Sequence, residues 1–289
     1  MRIYRSERGQ RTIADWYERQ PISAAIQSRM VNTPSGATHV LKSGDEALPP
    51  LLLLPGTNFP ALSWQEYLVA LSDTFHVIAV DVIGQPGKSA PERPSFKGIG
   101  YARWLVDLVD ALGLEYVHVM GHSLGGWLAL KFATFAPERV GKVVLVDPAG
   151  IIRLRLTPRM IWKSMVFALH PTERSSNALL GLMSAHEIDP KMAEWMTLVG
   201  KHVWSSLAPP PLPQQELKAI RASILLLSGA QDVFLPANRL VQKATKLFPD
   251  IHTHIVPDAG HLLPDELPDR VMGYVRELLK QQPVIQVTD

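Results

Sequence analysis

With 289 residues, 46% hydrophobic and 19% charged, the chain has the composition of a folded globular protein with room for a large core. Its formal charge of +2, from 29 basic and 27 acidic residues, gives no reason to expect a nucleic-acid partner. The absence of cysteine excludes disulfides, thiolate metal sites and a cysteine nucleophile, and fits a reducing compartment.

The opening stretch MRIYRSERGQRTIADWYERQ lacks an apolar h-region, so no signal peptide is expected. The longest aliphatic run, around Leu51–Leu54, is far too short to cross a bilayer. Together these features predict a soluble, cytoplasmic protein with no membrane partner. Before about Val40, the amphipathic segment TIADWYERQPISAAIQSRM reads as a helix and an opening strand. β-Rich runs then recur: THVLKSG, PPLLLLPG, FHVIAVD, YVHVMG, KVVLVD, SILLLSG and THIVPD. Most are continuous aliphatic runs, as strands buried on both faces should be. Between them, WQEYLVALSD, YARWLVDLVDALG and GWLALKFATFAPERV carry helical spacing and stop at glycine or proline. This alternation predicts an α/β fold with a mostly parallel sheet. From about Gly150 to Ala219 the rhythm stops, and IIRLRLTPRMIWKSMVFALH opens a helix-like stretch rich in Trp, Met and Leu. The predicted division is therefore a core of residues 1–149 and 220–289, with an N-terminal extension over 1–35, and a helical cap over 150–219.

The chemistry centres on VMGHSLGGWLAL, residues 119–130. A strand leads into Ser123 and a helix leaves it, the context of a nucleophile elbow. Gly121 and Gly125 would let strand and helix approach closely, and Gly126 adds clearance. A serine hydroxyl needs a base to take its proton and usually a carboxylate to orient that base. In chain order the candidates are Asp232, in AQD after SILLLSG, and His261, in AGH after THIVPD. Plainer readings stand beside these: Ser123 as a turn residue, Asp232 as a helix cap, His261 as a structural histidine. Asp147, in LVDPAG, is the rival acid, expected instead to cap the entry to the cap. His122 should pack away from Ser123. His252 and His254 share a strand face, but two ligands without a third do not make a metal site, and no metal is expected. VIGQPGKS ends like a phosphate-binding loop, yet Val82 stands where that motif requires glycine, so no nucleotide is expected. Arg153, Arg155, Arg159 and Lys163 read as a solvated cap face, with an anionic substrate as the alternative.

Taken together, GHSLGG, LLLSGAQDVFLP and DAGHLLPDELPDRV resemble the elbow, acid loop and histidine loop of α/β-hydrolase-fold serine hydrolases with a cap after the sixth strand. The resemblance runs from about Ser28 to Arg276. NTPSGATHVLKSG and DVIGQPGKS look closest to a bacterial carboxylesterase branch, the latter one residue longer than usual. Pro55-Gly56 stands where the family commonly has His-Gly. The resemblance implies an α/β-hydrolase fold with helices on both sheet faces and an inserted helical cap. It also implies a cofactor-independent hydrolase of small-molecule carboxylic esters, with Ser123 as nucleophile, His261 as base and Asp232 as its orienting acid. Backbone N–H groups of Leu124 and Thr57 are the expected oxyanion donors, with Asn58 as a competing donor and substrate contact. The apolar cap residues Trp162, Met165, Phe167, Trp195 and Trp204 are expected to wall an acyl or alcohol pocket. Lactone, amide or carbon–carbon bond hydrolysis, and a low-turnover ligand receptor, stay open as alternatives. So does a homodimer.

Overall fold

A computed structural model of the chain describes residues 2–206 and 208–280. Leu207, in the expected cap, and residues 281–289, at the end of the expected core, lie outside the described residues. The strands are β1 (Gln27–Thr33), β2 (Gly36–Ser43), β3 (Pro50–Leu54), β4 (His76–Val80), β5 (Val117–His122), β6 (Val140–Val146), β7 (Ile224–Gly229) and β8 (Ile251–Val256). They form one eight-stranded sheet in the order β1-β2-β4-β3-β5-β6-β7-β8. β1 pairs antiparallel with β2, and β2 with β4, while every later pairing is parallel.

The continuous aliphatic runs follow from burial on both faces. Leu52 and Leu54 enter one core with Ile78, Val119, Trp104, Leu128 and Leu240, whereas Leu51 and Leu53 enter a second with Val77, Met120, Tyr67, Leu68 and Val275. Helices α3 (Gly100–Ala111), α4 (Leu124–Phe135) and α9 (Ala237–Ala244) cover the first face, and α2 (Gln65–Leu71), the short α10 (Leu263–Glu266) and α11 (Pro268–Lys280) cover the second. Because side chains alternate along a strand, an all-apolar strand needs such a cover on each side.

Between β6 and β7 lie α5 (Pro158–Leu169), α6 (Glu173–Met183), α7 (Pro190–His202) and the short α8 (Gln214–Lys218). A third core joins this insertion to the N-terminus. Helix α1 (Glu7–Glu18) is capped by Ser6, whose Oγ accepts the Gly9 N–H at 3.1 Å, and it ends ahead of Pro21. It buries Ile13, Trp16 and Tyr17, and the Trp16 ring lies 4.7 Å from that of Trp195 on α7. The Trp204 N–H donates to the Ile3 carbonyl at 2.7 Å, and the Arg5 N–H to that of His202 at 2.9 Å. The first residues therefore brace the helical insertion. Among the described residues, no helix is long and apolar enough to cross a membrane.

Candidate active site

The sharp turn at the end of β5 sets the site. Ser123 has φ 50° and ψ −107°, a left-handed conformation that an L-residue adopts only under constraint. Three backbone hydrogen bonds hold it. The Ser123 N–H donates to the Val146 carbonyl at 3.0 Å, and the Ser123 carbonyl accepts from Ala149 at 3.0 Å and Trp127 at 3.2 Å. A Cβ on Gly121 would run into the Gly125 carbonyl, and one on Gly125 into that of Leu54. Strand and helix thus meet where only glycine fits.

The loops after β7 and β8 bring the partners to this turn. The Ser123 hydroxyl lies 3.0 Å from His261 Nε2, and His261 Nδ1 lies 2.8 Å from Asp232 Oδ2. Asp232 Oδ1 accepts the backbone N–H groups of Phe234 at 2.7 Å and Leu235 at 3.0 Å. Burial opposes ionisation of Asp232, but the imidazole and these amides outweigh it, so the carboxyl lies below its usual range. Leu124 opens α4, and Thr57 lies on the loop after β3. Neither backbone N–H has an acceptor among the described residues. Asn58 differs: its N–H donates to the side chain of Gln85 at 3.0 Å, and its carbonyl accepts Trp195 Nε1 at 2.7 Å. A hydroxyl, an imidazole and a carboxyl group therefore converge at the ends of the parallel strands.

The model of the alpha/beta hydrolase family matches residues 51–273. The chain belongs to that family. It is 32% identical over 260 residues to carboxylesterase YbfK of Bacillus subtilis, and 30% identical over 262 residues to the carboxylesterase nap of the same organism. Each alignment covers 86% of both chains. The crystal structure of naproxen esterase from Bacillus subtilis superposes with a TM-score of 0.81, at 29% identity, covering 94% of this chain and 97% of the other.

In this hydrolase the surroundings of the site hold residues that spacing alone did not single out. His122 Nε2 donates to the His261 carbonyl at 2.7 Å. Burial, then the nearby His261, pushes its pKa down to about 3, so it is a neutral strut. Glu266 accepts the Gly260 N–H at 3.0 Å and the Ala185 N–H at 2.9 Å, and the Met183 carbonyl accepts the His261 N–H at 2.6 Å. The end of α6 is thereby stitched to the histidine loop. Gln85, buried in the loop after β4, anchors the Thr57–Asn58 turn through Asn58. The glycine- and proline-rich form of that loop marked it as a motif, but not its target.

Three expectations need correction. Asp147 does not cap the helical insertion. It lies buried beside Asp232, accepting Ser228 Oγ at 2.8 Å and the Gly229 N–H at 3.0 Å. Burial, then the charge of Asp232, holds its carboxyl well above the usual range. Trp162 does not wall a pocket, because it is 61% exposed on the outer side of α5, and Met165 and Trp204 are also exposed. Phe167 packs inside the third core, against Gly200. A cavity of about 310 Å³ lies between α1, the loop after β3 and α7. Of the expected wall residues only Trp195 lines it, and Ser123 does not.

Proposed function

We propose that this hydrolase is a carboxylesterase working through Ser123, His261 and Asp232, with residues 150–219 as its cap. The observation that carries this reading is the strained Ser123 turn at the head of α4, whose hydroxyl meets His261 Nε2 at 3.0 Å. The relatives named carboxylesterases support the ester as substrate class. His261 Nε2 takes the hydroxyl proton as Oγ attacks the ester carbonyl carbon. Asp232 keeps the Nδ1 proton in place and stabilises the imidazolium. The backbone N–H groups of Leu124 and Thr57 meet the oxyanion, aided by the N-terminal end of α4. His261 then passes its proton to the departing alkoxide oxygen, and the alcohol leaves an acyl-serine. Water attacks that ester with His261 again as base, releasing the acid and restoring Ser123.

A panel of p-nitrophenyl esters of rising acyl length, run beside a lactone and an anilide, tests the assignment. Rapid ester turnover with a pre-steady-state burst is expected. Preference for the lactone or anilide, or tight binding of the ester without turnover, would overturn it.

A further inference from the structure

Helix α5 is apolar on opposite sides. Met160 and Phe167, seven residues apart, point inward and are buried. Ile161, Trp162, Met165 and Leu169 recur at helical spacing on the outer side, and all are exposed. Leu156, just before the helix, is 66% exposed and Leu169 67% exposed. A folded chain gains by burying such a stripe, so a contiguous apolar face left in solvent marks a docking surface.

Charge narrows what docks there. Between Pro148 and Thr172 the sequence has four cations, Arg153, Arg155, Arg159 and Lys163, and no Asp or Glu. Among the described residues, Arg153, Arg155 and Arg159 have no carboxylate partner. Arg153, Arg155 and Arg159 are exposed around the apolar stripe, and Lys163 Nζ is tied to the Ala178 carbonyl at 2.9 Å. A second copy docked about a twofold axis would set these unpaired cations against one another. A partner that is apolar inside and negative at its surface satisfies both features at once. We propose that α5 and the segment leading into it form a docking face for an anionic lipid bilayer, on which the protein rests peripherally. An exposed tryptophan beside leucine and isoleucine, rimmed by arginine, suits the boundary between headgroups and acyl chains. Docking of this kind needs no spanning helix. It would also orient the helical insertion, which is stitched to the histidine loop at Met183, toward the lipid.

The test uses the full chain with sedimented vesicles, either phosphatidylcholine alone or phosphatidylcholine mixed with phosphatidylglycerol. The protein should partition onto the anionic vesicles at low salt and release as salt rises. Ile161→Ser with Leu169→Ser should weaken partitioning by about tenfold or more through lost apolar burial. Arg155→Ala with Arg159→Ala should weaken it roughly thirtyfold at low salt. Both double variants should keep wild-type turnover of a soluble short-chain ester, which reports that they fold. The idea fails if wild type ignores anionic vesicles, or if both variants bind as wild type does. It also fails if light scattering finds a dimer that the Ile161/Leu169 changes split, since a second copy would then own this face.

Discussion

Among the described residues, two Ser–His–Asp arrays have nearly the same spacing. Ser28 Oγ lies 2.9 Å from His39 Nε2, and His39 Nδ1 lies 2.8 Å from Asp81 Oδ2, against 3.0 Å and 2.8 Å for Ser123, His261 and Asp232. Their settings differ. Ser28 sits in an ordinary strand position opposite Leu41, with no helix N-terminus behind it. Ser123 sits in a left-handed turn that opens α4. Asp81 is saturated: besides His39 it takes N–H donors from Ala61 at 2.6 Å and Lys88 at 2.9 Å and the Tyr17 hydroxyl at 3.4 Å. That array ties five segments together: α1, β1, β2 and the loops after β3 and β4. Relay geometry alone therefore does not define an esterase. The strained display of the hydroxyl at the head of α4 makes the difference.

The largest effect should separate the two serines. Ser123→Ala should lower kcat by ~10⁴–10⁶-fold and abolish labelling by a fluorophosphonate, by analogy with other triads. Ser28→Ala should leave both unchanged. Labelling that survives in Ser123→Ala and vanishes in the double variant would move the activity to Ser28.

The acids come next. Asp232→Asn should cost up to about 10⁴-fold in kcat, because the wrong imidazole tautomer is then favoured. His261 Nδ1 pairs with Asp232 and not with Asp147, so Asp147→Asn should cost less than about tenfold. The pH dependence of stability gives an independent check. An unfolded aspartate ionises near 3.9, while the folded Asp147 carboxyl titrates well above its usual value. Wild type therefore loses stability as pH rises above the unfolded pKa, until the folded group ionises too. Asp147→Asn should flatten that slope in urea titrations between pH 4 and 7, values chosen to bracket the unfolded pKa. A steeper slope in the variant would mean Asp147 is ionised.

Thr57→Pro should lower kcat by about 10²–10³-fold by deleting one oxyanion donor, while Thr57→Ala keeps most activity. Equal losses in the two variants would place the donor elsewhere. The reverse pattern is expected at the second array. His39→Ala should cost ~2–4 kcal/mol of stability, because Asp81 and Ser28 lose a buried partner. The folded fraction should keep its kcat, as an active-site titration would report. A large kcat loss at full stability would erase the distinction between the arrays.

Much of the first array was legible because each of its members follows a strand end beside glycine, and such punctuation survives in the one-dimensional sequence. The sheet was legible for the same reason, since strands covered on both faces must be aliphatic throughout. The second array was not legible: Ser28, His39 and Asp81 meet only through the pairing of β1 with β2 and β2 with β4. Trp162 was misjudged because helical spacing shows that α5 is apolar without showing which side meets the core. Asp147 and Asp232 follow adjacent strands, so sequence offered both as acids. Only the N–H groups of Phe234 and Leu235 and the reach to His261 decide which one pairs with the imidazole.

The two arrays are also mechanically joined, and the smallest predicted effect measures the link. Asp81 begins the loop that carries Gln85, and it holds Ala61 at the far end of the Thr57 loop. Gln85 then fixes the near end by accepting the Asn58 N–H at 3.0 Å. Asn58 has φ 67°, so this turn needs its anchors to stay in place. Gln85→Met keeps roughly the volume of a side chain that is 1% exposed and removes its amide, including the acceptor for Asn58. An orphaned buried N–H costs about 1–3 kcal/mol. The turn should relax by part of that amount, displacing the Thr57 donor. The expected result is a kcat roughly fivefold lower, about 1 kcal/mol of lost transition-state stabilisation. KM should stay within about twofold, because the ground-state ester does not use the oxyanion donors fully. Fluorophosphonate labelling should slow in proportion, since it passes through the same charge. A lower melting temperature with unchanged kcat would instead confine Gln85 to holding the fold, and the second array would then have no part in catalysis.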